Sequence, residues 1–275
     1  MDHLRALSRV FLAPGILALG LLSSPLQAQS PGEVLTAELL PGWTTVEGTR
    51  MAALRLDLAP EWKTYWRSPG DAGIPPLFDW SGSQNLAGVK FHWPRPHVFE
   101  LGGMHTIGYK HELVLPMELT PVDPAQPILL RASVDLGVCR DICIPAQVQL
   151  EATMSGAGAS DPAIKAALAD RPETGREAGL VGIACSVEPI RDGLRITARL
   201  ALPPTGGEET VVFEPGSLPV WVSPAEVRRE GDTLLAMADM VPSTGTPFAL
   251  DRQAMTVTVL GRDRAVEIRG CPAAP

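Results

Sequence analysis

The chain has 275 residues, enough for two ordinary domains, and 45% of them are hydrophobic, so each can bury a core and extended disorder is excluded. A formal net charge of −8, with no lysine- or arginine-rich run, removes the electrostatic footprint of a nucleic-acid binder. With 26 glycines and 27 prolines, few stretches are free of both, which favours short strands joined by turns over long helices.

At the N-terminus Arg5 and Arg9 precede an apolar stretch, residues 10–22, and then Ser23-Ser24-Pro25-Leu26-Gln27-Ala28. These are the three parts of a secretory signal, with cleavage expected after Ala28, so residues 1–28 are read as a signal peptide. A membrane anchor is the competing reading, but the stretch is interrupted by Pro14 and Gly15 and falls short of the roughly 20 residues that span a bilayer. No later segment is apolar for long enough. The mature chain is therefore expected in the periplasm, not spanning the membrane, where disulfides persist.

Residues 29–153 form the first domain, with strand-like runs beginning near Val34 and broken by Pro-Gly, Ser-Gly and Gly-Gly turns. Trp62, Tyr65, Trp66, Trp80 and Trp93 are concentrated there, as sandwich core and rim or as part of a partner-binding surface. Residues 154–179 are small and polar and read as a linker. Within it Asp161-Pro162 opens a short helix over residues 163–169, with proline in its first turn. Residues 180–275 form a second domain, with one hairpin turning at Asp192-Gly193 and another near Gly231-Asp232. Strands at this density, without a helix after each, predict an all-β chain of two immunoglobulin-like β-sandwiches joined by that linker.

Residues 130–152 hold the chemistry. Leu130, Ala132, Val134, Leu136 and Val138 share one face by period-two alternation, and Cys139 falls in phase with the opposite, polar set. After a break, Ile144, Ala146, Val148 and Leu150 form an apolar face, and Cys143 again joins the polar set with Gln147, Gln149 and Glu151. Both thiols are thus expected to face away from the core, at the tip of a hairpin turning through Arg140-Asp141-Ile142. On one extended strand residues four apart lie about 13 Å apart, beyond what a disulfide tolerates, so a bond between them needs the chain to turn back.

Loop entropy separates the two cysteine pairs. A ring of about five residues stabilises a fold by about 2 kcal/mol, whereas a Cys185–Cys271 bridge closing about 87 residues contributes about 4.6 kcal/mol. Cys185 sits in the first strand of the second domain and Cys271 just after its last, so that pair is assigned to structure. Cys139 and Cys143 admit three readings: a redox-active pair, an inert local bridge, or a soft-metal site for Cu(I) or Zn. His92, His97, His105 and His111 form no ligand-spaced cluster with them, so neither metal nor cofactor is expected. No Ser-His-Asp order, paired carboxylates or phosphate-cradling glycine loop supports a hydrolase.

Three stretches carry a resemblance: Glu61-Trp62-Lys63-Thr64-Tyr65-Trp66-Arg67-Ser68-Pro69-Gly70-Asp71-Ala72-Gly73, Phe91-His92-Trp93-Pro94-Arg95-Pro96, and Leu136-Gly137-Val138-Cys139-Arg140-Asp141-Ile142-Cys143-Ile144-Pro145. Through them the first domain resembles the N-terminal periplasmic domain of the DsbD family of thiol:disulfide interchange proteins, including its ScsB-like branch. The resemblance implies an immunoglobulin-like fold whose cysteine pair passes reducing equivalents to oxidised periplasmic partners of thioredoxin-like type. It also implies that Cys143 attacks and Cys139 resolves, under a cap loop at residues 97–103 containing His97, Phe99 as the lid, and Glu100. The C-x3-C spacing follows the ScsB-like branch, where the best-known members space their cysteines by five. The family's transmembrane electron carrier and thioredoxin-like domain have no counterpart in the sequence, so an external reductant such as a separate membrane protein is expected. The expected function is thiol–disulfide exchange; the alternative is a non-catalytic periplasmic binding module, linked to copper, with metal-holding or purely structural cysteines.

Overall fold

In the computed structural model the described residues are 34–273, except 102, 244 and 246; the signal-like segment 1–28 lies outside them. Alternating apolar residues make two pairs of packed sheets, as the all-β expectation requires.

The first sheet orders β1 (Leu35–Thr44), β2 (Arg50–Leu58), β8 (Glu112–Pro121) and β5 (Leu86–Phe91), all antiparallel. Facing it are β10 (Cys143–Met154), β9 (Ile128–Cys139), β3 (Lys63–Gly70), β7 (Met104–Lys110) and β6 (His97–Leu101), with β4 (Leu77–Asp79) paired to β9. Leu54 and Leu56 of β2, Leu115, Met117 and Leu119 of β8, and Leu130 to Val138 on alternate positions of β9 bury their side chains between the sheets, together with Trp66 and Trp93. Each such side chain contributes about 1.5–3 kcal/mol of apolar burial.

The first half of strand β2 is buried on both faces, which explains the unbroken apolar run Met51–Leu54, whereas Arg55 and Asp57 further on face outward. Its outward residues Met51 and Ala53 pack with Leu40 under Ile164 of helix α1 (Pro162–Ala169). The helix starts where the sequence predicts: the Asp161 carboxylate accepts from the Ala163 and Ile164 N–H groups at 2.8 and 3.2 Å, and proline opens the first turn. The buried Arg50 straps the preceding segment down. Its guanidinium donates to the carbonyls of Pro41, Gly42 and Gly156 at 2.6, 3.1 and 2.9 Å.

In the second sandwich one sheet orders β12 (Gly182–Ile190), β13 (Gly193–Ala201), β17 (Thr233–Pro242) and β15 (Val220–Val222), with β16 (Glu226–Glu230) also paired to β17. The other orders β11 (Glu173–Thr174), β19 (Ala265–Arg269), β18 (Thr256–Leu260) and β14 (Thr210–Glu214), with β11 parallel to β19. Turns lie at Arg191-Asp192, one residue before the expected Asp192-Gly193, and at Gly231-Asp232 as expected. The two sandwiches abut. Leu260 and Ala265 join the first core, and the Arg67 guanidinium bonds Glu214 and Glu267 across the joint.

Candidate functional site

Strands β9 and β10 reach their common turn in register, with Val138 opposite Ile144 and Cys139 opposite Cys143. Arg140, Asp141 and Ile142 reverse the chain, and the Arg140 N–H donates to the Ile142 carbonyl at 3.1 Å. The reversal brings the two cysteine Cα atoms to 4.1 Å, and the sulfurs are joined in a disulfide. The in-line separation that would forbid the bond is thereby removed.

The two sulfurs are not equivalent. Cys143 lies exposed on the edge strand beside Ile142, itself 66% exposed, whereas Cys139 is 2% exposed. The expectation that both thiols face solvent is therefore corrected for Cys139. Its phase is as read, opposite to the core residue Val138, but chain from elsewhere covers that face. Lys63 of β3 lies directly opposite Cys139, and Ile74 sits over Gly137, where an added Cβ would come within 2.8 Å of the isoleucine Cβ. The buried Tyr65 brings its hydroxyl to 3.5 Å from Cys143 Sγ. Burial raises the Tyr65 pKa, so the phenol stays a neutral donor.

Beside this pair the Lys63 ammonium donates to Thr106 Oγ1 at 2.9 Å and lies 5.9 Å from the Tyr65 ring centroid and 5.3 Å from that of Phe99. Lys110 approaches the same Phe99 ring at 5.2 Å. Burial first, and the neighbouring Lys110 second, lower the Lys63 pKa. Of residues 97–103, expected as a loop, His97–Leu101 form strand β6 against β7: His97 pairs with Gly108, Phe99 with Thr106 and Glu100 with His105. Phe99 is half-buried, while His97 and Glu100 are exposed. Among the described residues no group of three or more histidine, cysteine or acidic side chains is placed to hold a metal ion.

Sequence reasoning missed Lys63 and Ile74 as neighbours of the sulfurs and took Tyr65 only as an aromatic. A usable signal was present in β3, where Trp62, Thr64 and Trp66 alternate with Lys63, Tyr65 and Arg67, the second set facing the cysteines and the joint. Elsewhere Cys185 and Cys271, both fully buried, are joined with Cα atoms 5.5 Å apart. The Cys185 N–H donates to the Pro272 carbonyl at 2.7 Å, so the chain end is tied to β12.

Residues 36–155 match the family described as thiol:disulfide interchange protein DsbD, N-terminal. The similarity to that family covers this segment of the chain. The matching segment holds both sheets of the first sandwich and the whole cysteine hairpin. The crystal structure of the N-terminal periplasmic domain of ScsB from Proteus mirabilis is similar with a TM-score of 0.65 at 24% identity, over 90% of this chain and 97% of that one. That likeness is one of fold, and it extends past the matching segment into the second sandwich. None of the curated proteins matches the chain in sequence. No helix among the described residues is long and apolar enough to cross a membrane.

Proposed function

We propose that the protein is a periplasmic thiol–disulfide carrier in which Cys143 forms the mixed disulfide and Cys139 resolves it. The observation that carries this reading is the asymmetry of the pair: a partner sulfur can reach Cys143, while Cys139 is covered. In the reduced protein the Cys143 thiolate attacks one sulfur of a partner disulfide, and the partner's other sulfur leaves as a thiolate and takes a proton. Cys139 then attacks Cys143 Sγ, the five-residue ring closes, and the second partner thiolate leaves. Two electrons and two protons pass to the partner. The partners fitting this chemistry are periplasmic thioredoxin-like proteins, and the ring is re-reduced by a separate membrane electron carrier.

In this reading residues 1–28 direct export, residues 29–153 are the redox domain, residues 154–179 the linker, and residues 180–275 a spacer or docking domain stapled by Cys185–Cys271. The β6–β7 hairpin serves as the cap, with Phe99 held between two ammonium groups, His97 beside it on the same face of β6 and Glu100 on the opposite face. The deciding experiment uses a Cys139→Ala variant in periplasmic extract, which should stall with a partner bonded to Cys143. Capture of no partner, or equal capture by Cys143→Ala, overturns the assignment. Equilibration with glutathione buffers should also place the ring well above the roughly −300 mV below which structural bridges sit.

A further inference from the structure

Strand register sets Cys143, Cys139, Lys63 and Lys110 side by side across β10, β9, β3 and β7. Opposed residues on antiparallel strands project from the same face with Cα atoms about 4.5–5.5 Å apart. Lys63 thus carries an ammonium on a flexible four-carbon stem one strand away from Cys139.

That ammonium is poorly provided for in the disulfide form. Lys63 is 9% exposed, its Nζ has the Thr106 hydroxyl as its hydrogen-bond partner, and two aromatic rings flank it. Among the described residues no carboxylate pairs with it, and the charge acting on it is the like charge of Lys110. Buried lysines are ordinarily paired with a counter-charge. The disulfide supplies none, but the reduced pair does.

We propose that Lys63 is the counter-ion of the Cys139 thiolate in the reduced protein, and so the positioning residue that lets the covered sulfur act as leaving group and resolving nucleophile. This rests on the exchange reading of the pair. Burial in apolar surroundings raises a thiol pKa, and an adjacent ammonium opposes that rise. When a reductant thiolate attacks the exposed Cys143 Sγ, the S–S bond breaks and its electron pair leaves on Cys139. In the forward direction Cys139 returns that pair to Cys143 Sγ and the partner thiolate departs. Negative charge rests on Cys139 in both directions. The dithiol of the reductant ends as its own disulfide, which balances the two electrons. The other titratable groups on this face of the strands are Tyr65 and Arg67 of β3, Lys110 of β7, His97 of β6 and Asp135 of β9, with Asp71 after β3 and the Arg140–Asp141 pair in the turn beside it; Glu100 of β6 projects from the opposite face. Asp135 is engaged by Gln147, and Asp71 by the His105 N–H.

The test takes the mature chain with Cys143→Ser, leaving Cys139 as the lone thiol of the ring, and follows thiolate absorbance against pH. Adding Lys63→Met should cut the thiolate fraction at neutral pH about tenfold or more, one pKa unit being one decade. Lys63→Arg should restore it. Lys63→Gln serves if the methionine variant does not fold, and circular dichroism checks each variant. A Cys139 titration that is the same with and without the charge at position 63 overturns the proposal. The parent chain with both cysteines is assayed for reduction by a dithiol in parallel, so an inert ring defeats the exchange reading separately from the lysine assignment.

Discussion

Arg67 in the first sandwich donates to both carboxylate oxygens of Glu214 in the second, at 2.8 and 2.9 Å, and its Nη2 also reaches Glu267 at 2.8 Å. All three side chains are largely buried. The paired carboxylates outweigh burial and raise the guanidinium pKa above its ordinary value. Arg67→Met should weaken the joint by about 2 kcal/mol, the range of a charge-assisted pair with one partner removed. Calorimetry should then resolve two transitions where the parent gives one; a single unshifted transition would remove the joint from the account of stability.

The cysteine pairs should differ sharply in what their loss does to folding. Cys185→Ala with Cys271→Ala should lower unfolding stability by about 4–5 kcal/mol, while Cys139→Ala with Cys143→Ala should lower it by about 2 kcal/mol or less. Urea midpoints of the two double variants decide the matter. Equal losses would count against the loop-entropy assignment.

Tyr65→Phe keeps the ring and deletes the hydroxyl 3.5 Å from Cys143 Sγ. A hydrogen bond to a thiolate favours the charged form, so its removal should raise the Cys143 pKa by up to about one unit. The midpoint of alkylation rate against pH reads this directly, and an unmoved midpoint would deny the hydroxyl any part in tuning the sulfur.

Glu209 provides a pH dependence of stability. Burial pushes its carboxyl up, but the Arg229 guanidinium and the backbone N–H and hydroxyl of Thr205 outweigh that and hold its pKa below the usual carboxylate range. A folded-state pKa below the unfolded one means stabilisation that is present above about pH 4 and lost as pH falls through the folded value. Glu209→Gln should therefore be destabilised by about 3 kcal/mol at neutral pH, the scale for one partner lost from a buried pair. The gap to the parent should narrow in acid. Denaturant unfolding at the two pH values tests it, and a gap independent of pH would refute it.

Much of the fold was legible because its signals are local. Asp161 and Pro162 announce α1 within four residues, and period-two alternation with Arg140-Asp141-Ile142 fixes the cysteine hairpin and its register. The alternation gave the face of Cys139 correctly yet not its burial, since Ile74 and β3 arrive from more than sixty residues earlier in the chain. The same holds for residues 97–103, which the resemblance implies as a cap loop while pairing with β7 draws His97–Leu101 into a sheet. The Arg67–Glu214 bond spans two domains and leaves no trace in either stretch of sequence alone.

Helix α1 has a consequence for encounter. Ile164 is sunk into the outside of the first sandwich, Arg50 clasps Gly156, and the Arg95 N–H donates to the Asp170 carbonyl at 2.7 Å, so the span between the sandwiches is moored along its length. The second sandwich is thus a fixed neighbour, not a swinging weight. On the exchange reading proposed for Cys143, a protein approaching that sulfur meets both sandwiches held together, and discrimination among visitors falls to how well their contours clear or fit that joint outline.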